Sequence, residues 1–165
     1  MSIIRSVLLS LALCVLAACG NYGPVDVSSD EVAKLEAGLL ALGPEVDPDE
    51  AARAARIAYE YTAVLVREYE ITDAPLVHNT KVNMGLKPRG LCWHWAEDME
   101  NRLLKENFQT LDVLRAIANA ESDWLIDHST ALLAPRGGGL NDAMVLDPWR
   151  YGGRLAWAPV TEDKR

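Results

Sequence analysis

Three side chains in this sequence are of the types from which a thiol site is built. Cys92 lies in RGLCWHWAEDM (89–99), His128 in DHSTALLAP (127–135) and Asp147 in VLDPWR (145–150). A nucleophilic cysteine acts as its thiolate, and the thiol gives up its proton more readily at a helix N-terminus and beside an imidazole. Cys92 opens a helical run, which supplies the first condition. His128 heads one strand and Asp147 closes the next. A hairpin turning on residues 136–139 puts Asp147 across from His128, where its carboxylate can set the tautomer and support the imidazolium. A turn extending into Asn141 and Asp142 shifts that register by two or three residues. Two other histidines compete for attention. His94 is two residues past Cys92, roughly 200° round the helix, and cannot face it. His78 falls in the preceding connection and is the rival base if the hairpin pairing fails. A metal site on Cys92 and His94 is disfavoured: the Cys-x-His spacing splays the ligands, and no second pair such as Cys-x-x-Cys exists. Taken alone, a free cysteine is more often an inert buried apolar residue, His128 a half-buried histidine and Asp147 a turn residue before Pro148. Arg150 and Asp142 read as surface or hairpin charges.

The elements that must position these residues are read from periodicity and punctuation. Ser28 with Glu31 three residues later predicts a capping box and a helix that ends at Gly43–Pro44. Asp47, Pro48 and Glu50 form a second start signal. Ala54, Ile57, Ala58, Tyr61, Val64 and Leu65 then keep helical spacing to about Glu70. Residues 71–90 lack a period and hold two prolines and two glycines, which reads as a long connection of the kind that often carries function. The third helix begins near Cys92 with Cys92, Trp95, Ala96, Met99 and Leu103 on one face. Trp93 and Trp95 are candidates for lining a groove, although aromatics there are more often core. From Thr110 the pattern becomes four short segments, 110–118, 128–134, 143–147 and 154–160, separated by turn residues, with RGGG at 136–139 the strongest turn signal. Helices first and an antiparallel sheet afterwards make an α+β domain, with no internal repeat or low-complexity tract.

The order Cys at a helix N-terminus, His at the head of a strand and Asp at the end of the following strand resembles the transglutaminase-like branch of the papain-like cysteine enzymes. RGLCWHWAEDMENRLL is similar to the family's Gly-x-Cys helix, DHSTALL to its His strand and MVLDPW to its Asp strand. The resemblance covers residues 89–149 and leaves out the N-terminal helices. Two positions differ from the usual pattern: Thr130 stands where an aromatic often follows the His, and Trp149 follows Asp-Pro. The resemblance implies a papain-like core, with a Cys-bearing helix packed on a small antiparallel sheet, and a catalytic triad of Cys92, His128 and Asp147. In that chemistry the thiolate attacks an amide carbonyl to form a thioester, which water or an amine resolves. The backbone N–H of Cys92 would be one oxyanion donor, and a side chain from the 71–90 segment, Asn83, is the candidate second. No cofactor or metal is implied.

The N-terminus and composition bound the setting. Residues 1–18, MSIIRSVLLSLALCVLAA, read as a secretory signal with one basic residue and a short apolar run, too short to span a membrane comfortably. Leu16-Ala17-Ala18-Cys19 resembles the bacterial lipobox, which implies cleavage before Cys19 and diacylglycerol on its sulfur. Cys14 leaves with the signal, Cys19 carries lipid, and Cys92 is then the one free thiol of the three cysteines, which excludes a disulfide scaffold within one chain. Residues 19–28 read as the lipidated cysteine and a polar tether, and 29–165 as a single domain. Loss of residues 1–18 removes Arg5, so 15 basic residues face 24 acidic ones and the net charge is −9. So acidic a surface has no electrostatic footprint for nucleic acid or anionic lipid. The expected partners are a bacterial membrane, reached through the lipid, and peptide or peptidoglycan-type substrates. The expected place is the cell envelope, on the periplasmic face of the outer membrane in a Gram-negative cell, since Gly20 and not Asp follows Cys19. Two function classes stand: a thiol amide-bond enzyme (peptidase, amidase or acyl transferase), or a non-catalytic lipoprotein that uses a papain-like fold as a binding or structural module.

Overall fold

A computed structural model describes residues 22–24, 26–121 and 127–163. The signal segment 1–18, Cys19 and the first tether residues lie outside them. Four α-helices precede the sheet among the described residues: α1 (Ser29–Leu40), α2 (Pro48–Glu68), α3 (Pro75–Asn83) and α4 (Cys92–Leu104). Strands β1 (Leu111–Ala118), β2 (His128–Pro135), β3 (Met144–Asp147) and β4 (Ala156–Pro159) follow and form an antiparallel meander in the order β1-β2-β3-β4. The chain is α+β, as its punctuation predicts.

The core lies between the helices and one face of the sheet. Leu35 and Leu39 of α1 meet the small face of α2 (Ala51, Ala54, Ala55, Ala58), and both join Met99 and Leu103 of α4 and Ala131, Leu133 and Leu146 of the sheet. Alanines on α2 let neighbouring backbones come close, and α4 packs along β2. A second cluster, Leu65, Val66, Tyr69, Ile71 and Trp95, sits under the segment that leads into Cys92. The outer face of the sheet is covered too: Leu132, Ala134, Ala143 and Val145 pack with Val160 of the 3-10 turn that follows β4. Every residue from Thr130 to Pro135 is therefore buried, on both faces of the strand.

Three local expectations are corrected. Residues 71–90 contain α3, which starts with Pro75 in its first turn and stops where Gly85 takes φ 73°. Leu76 and Val77, and Met84 just past its end, are exposed and only His78 is buried, so no apolar stripe marks it in the sequence. At α1, Ser28 is the N-cap but makes no side-chain capping bond. In the β2–β3 hairpin, a 3-10 turn at Leu140–Asp142 lengthens the connection, and Ala131 pairs with Leu146 and Leu133 with Met144. Continued, that register sets Asp147 beside Thr130, two residues from the expected partner His128. A shift of two keeps both side chains on one face of the sheet.

Candidate active site

Cys92 is the first residue of α4, half-buried and, among the described residues, a free thiol. The three residues before it are held from several sides. Gly90 has φ 123°, and a Cβ there would sit 2.5 Å from His78 Nε2, so only glycine fits. His78 Nε2 donates to the Arg89 carbonyl at 2.8 Å. The Trp95 indole N–H donates to the Gly90 carbonyl at 3.0 Å. His94 Nδ1 accepts from the amides of Gly90 and Leu91, at 3.1 and 3.2 Å, and so caps the helix with an imidazole. The Arg89 guanidinium bonds both oxygens of Asp98 at 3.1 Å, and Tyr69 donates to Asp98 and to the His94 carbonyl. Cys92 is thereby aimed from the positive end of the helix dipole.

His128 begins β2 and Asp147 ends β3, and the pleat brings them together diagonally. His128 Nε2 lies 2.8 Å from Asp147 Oδ2, with both residues buried. Among the described residues Asp147 has four donors. Oδ1 accepts from the amides of Trp149 and Arg150, each at 3.1 Å, and Oδ2 accepts from His128 and from Arg150 Nε at 3.0 Å. Burial pushes the Asp147 carboxyl up, but the hydrogen bond and charge of His128 and the Arg150 guanidinium outweigh it, and its pKa lies below the ordinary carboxylate value. Burial likewise pushes the Cys92 thiol up. The neighbouring His128 imidazole and the Ser129 and Trp93 amides outweigh it, so the thiol ionises more readily than a free cysteine. Asp147 engages the His128 ring at Nε2. The thiol Sγ is also 3.7 Å from the Asp127 carbonyl oxygen. The Trp149 ring lies against His128, centroids 4.9 Å apart, and its indole N–H donates to Asn79 Oδ1 of α3 at 3.1 Å.

The structure thus brings together Cys92, His128 and Asp147 and sets other candidates elsewhere. His78 is not a solvated rival base. It is 1 % exposed, and its Nε2 donates to the Arg89 carbonyl. Asn83 is exposed at the C-terminal end of α3; the α3 side chain tied to the site is Asn79, one turn earlier. Trp95 belongs to the core, while Trp93 is exposed and stacks on His94. Asp142 accepts from the Gly139 amide within the hairpin. Arg150 is not a plain surface charge, because it joins Asp147 to Asp163 through Nη1 and Nη2, at 2.6 and 3.0 Å. Its partners are set by the fold, though an Asp followed by Pro and two further residues already signals an Asx-type turn that returns residue 150 to the carboxylate. Among the described residues no group of three or more His, Cys, Asp or Glu is set to hold a metal ion. The arrangement can shuttle a proton between sulfur and imidazole while a buried carboxylate holds the ring. Comparison of the chain with family models, with curated proteins and with solved structures returned no match.

Proposed function

We propose that this chain is a lipid-anchored envelope protein whose Cys92, His128 and Asp147 act on amide bonds through a thioester, on a papain-like, transglutaminase-like core. The observation that carries the reading is a thiol at a helix N-terminus whose pKa is lowered, against burial, by the neighbouring His128, an imidazole whose Nε2 bonds a buried, ionised carboxylate. In the reaction His128 takes the Cys92 proton and the sulfur bonds to the amide carbon. The C–N bond then breaks as His128 returns the proton to the leaving amine. Water or an amine attacks the thioester and expels the thiolate. The backbone N–H of Cys92, without an intrahelical partner at this position, is available to the oxyanion. Peptide or peptidoglycan-type amides are the substrate class by location, and the acidic surface argues against nucleic acid.

One observation favours the binding-module reading. A cavity of about 550 Å³ lined by Tyr22, Glu31, Tyr59, Arg150 and Tyr151 lies between the helices and the β3–β4 connection, and neither Cys92 nor His128 lines it. The rate of Cys92 alkylation from pH 4 to 10, on residues 20–165, separates the two. For the enzyme, thiolate reactivity extends well below about pH 8.5 and drops at least about tenfold at pH 6 in His128→Ala, with a smaller loss in Asp147→Asn. A folded protein whose thiol titrates as an ordinary cysteine, with or without His128, would leave only the binding module.

A further inference from the structure

Asp147 Oδ2 carries two donors, His128 Nε2 at 2.8 Å and Arg150 Nε at 3.0 Å. The remaining edge of the same guanidinium is gripped by both oxygens of Asp163 in the turn after β4. A guanidinium is planar, so two bonds to Asp163 fix the plane and aim Nε at Asp147. We propose that Arg150 is a positioning residue which, clasped by the C-terminal turn, shares the charge of Asp147 and so lowers the proton affinity of His128.

The physical reason is competition for one oxygen. A carboxylate facing only an imidazole stabilises the imidazolium fully and holds the proton there. A permanent cation on the same oxygen offsets part of that field. It also adds its own repulsion, from no more than about 6 Å, the most that the two bond lengths allow. The imidazolium becomes a stronger acid, which suits it to hand its proton to a leaving amine. Among the described residues, the charged or titratable groups facing His128 include Cys92 on α4, Asp147 on β3 and Arg150 after it; Arg150 meets Asp147 and Asp163, with Asp26, Glu31, Lys34, Arg154 and the tyrosines Tyr22, Tyr59 and Tyr151 around the adjoining cavities. The role in catalysis rests on the thiol-site reading, but the effect on His128 is measured without it.

The test is the NMR titration of the imidazole protons in the whole chain, purified in detergent and carrying Cys92→Ala so that no thiolate couples to the ring. His128→Gln assigns the resonance among the three histidines. Arg150→Met is expected to raise the His128 midpoint by about one pH unit, and Arg150→Lys, which keeps a charge but cannot bridge both carboxylates, by less. Asp147→Asn is expected to lower it. A mere structural prop would let Asp147 drift from the ring and shift the midpoint down, in the direction of Asp147→Asn. A fall or no change in whichever Arg150 variant folds therefore overturns the proposal. A rise alongside an unreactive Cys92 would keep this charge sharing and sink only the enzyme.

Discussion

Cys92 and His94 sit two positions apart on α4 and are put to opposite uses. The cysteine turns to β2, while the imidazole turns back and caps its own helix by accepting two amides at Nδ1. Accepting there requires the neutral ring. Burial first, and the Arg89 charge second, accordingly hold His94 below the ordinary histidine value. A histidine with lowered folded pKa contributes stability that is present above about pH 6.5, its unfolded value, and is lost as pH falls below it toward the folded value. The stability difference between the wild type and His94→Gln should therefore be largest near pH 7.5 and shrink toward pH 5. Urea denaturation midpoints of both proteins across that range check it, and a gap that stays constant would mean that the cap does not depend on protonation. The cysteine's place at the start of a helix was legible from residue type and order. The cap was not, because a histidine in the first turn signals nothing about which way its ring points.

At the scale of elements, the start of α2 shows how helices and sheet are locked in register. Asp47 caps the helix by accepting from the Glu50 amide at 3.0 Å, as Asp-Pro-x-Glu predicts. Glu50 reaches out of the helix. It accepts from the amides of Gln109 and Thr110 at 2.6 and 2.8 Å and from the Thr110 hydroxyl at 2.6 Å. Burial raises the Glu50 carboxyl, but these bonds outweigh it and keep it ionised. The Asp47 amide in turn donates to the Thr110 hydroxyl oxygen. One carboxylate thus terminates the α4–β1 connection just where β1 begins. Glu50→Ala strands two part-buried backbone donors and should cost about 1–2 kcal/mol, read as a lower urea midpoint with an unchanged m-value. A loss under about 0.5 kcal/mol would mean that water replaces the carboxylate. The exposed helix α3 carries the other lesson. Leu76 and Val77, and Met84 just past its end, are all exposed, so the segment looked aperiodic although its backbone is helical.

At the scale of the whole molecule, the described residues form one α+β unit whose core joins helices and sheet. No described helix is long and apolar enough to cross a membrane. Attachment in the proposed reading rests on Cys19, and the acidic chain, −9 once residues 1–18 are removed, gets no help from anionic lipid. Fractionation of expressing bacteria should place the wild type with membranes and Cys19→Ser in the soluble fraction or as unprocessed precursor. A processed Cys19→Ser protein that stays with membranes would remove the lipid anchor from the proposal.

Order and local chemistry were determined by the sequence itself: helices before strands, four strand segments, the turn at 136–139, and cysteine, histidine and aspartate at the ends of elements. These follow from short-range rules of periodicity, capping and turn residues, which act within a few positions. What the tertiary structure alone decided is how the ends meet. The hairpin slipped two residues from the expected register, and the His128–Asp147 pair survived because strand side chains repeat every second residue. Burial of His78, the loan of Arg150 to Asp163, and Asn79 rather than Asn83 facing Trp149 depend on partners 11 to 70 residues away. Such contacts are set by the packing of whole elements, and no local pattern of residues encodes them.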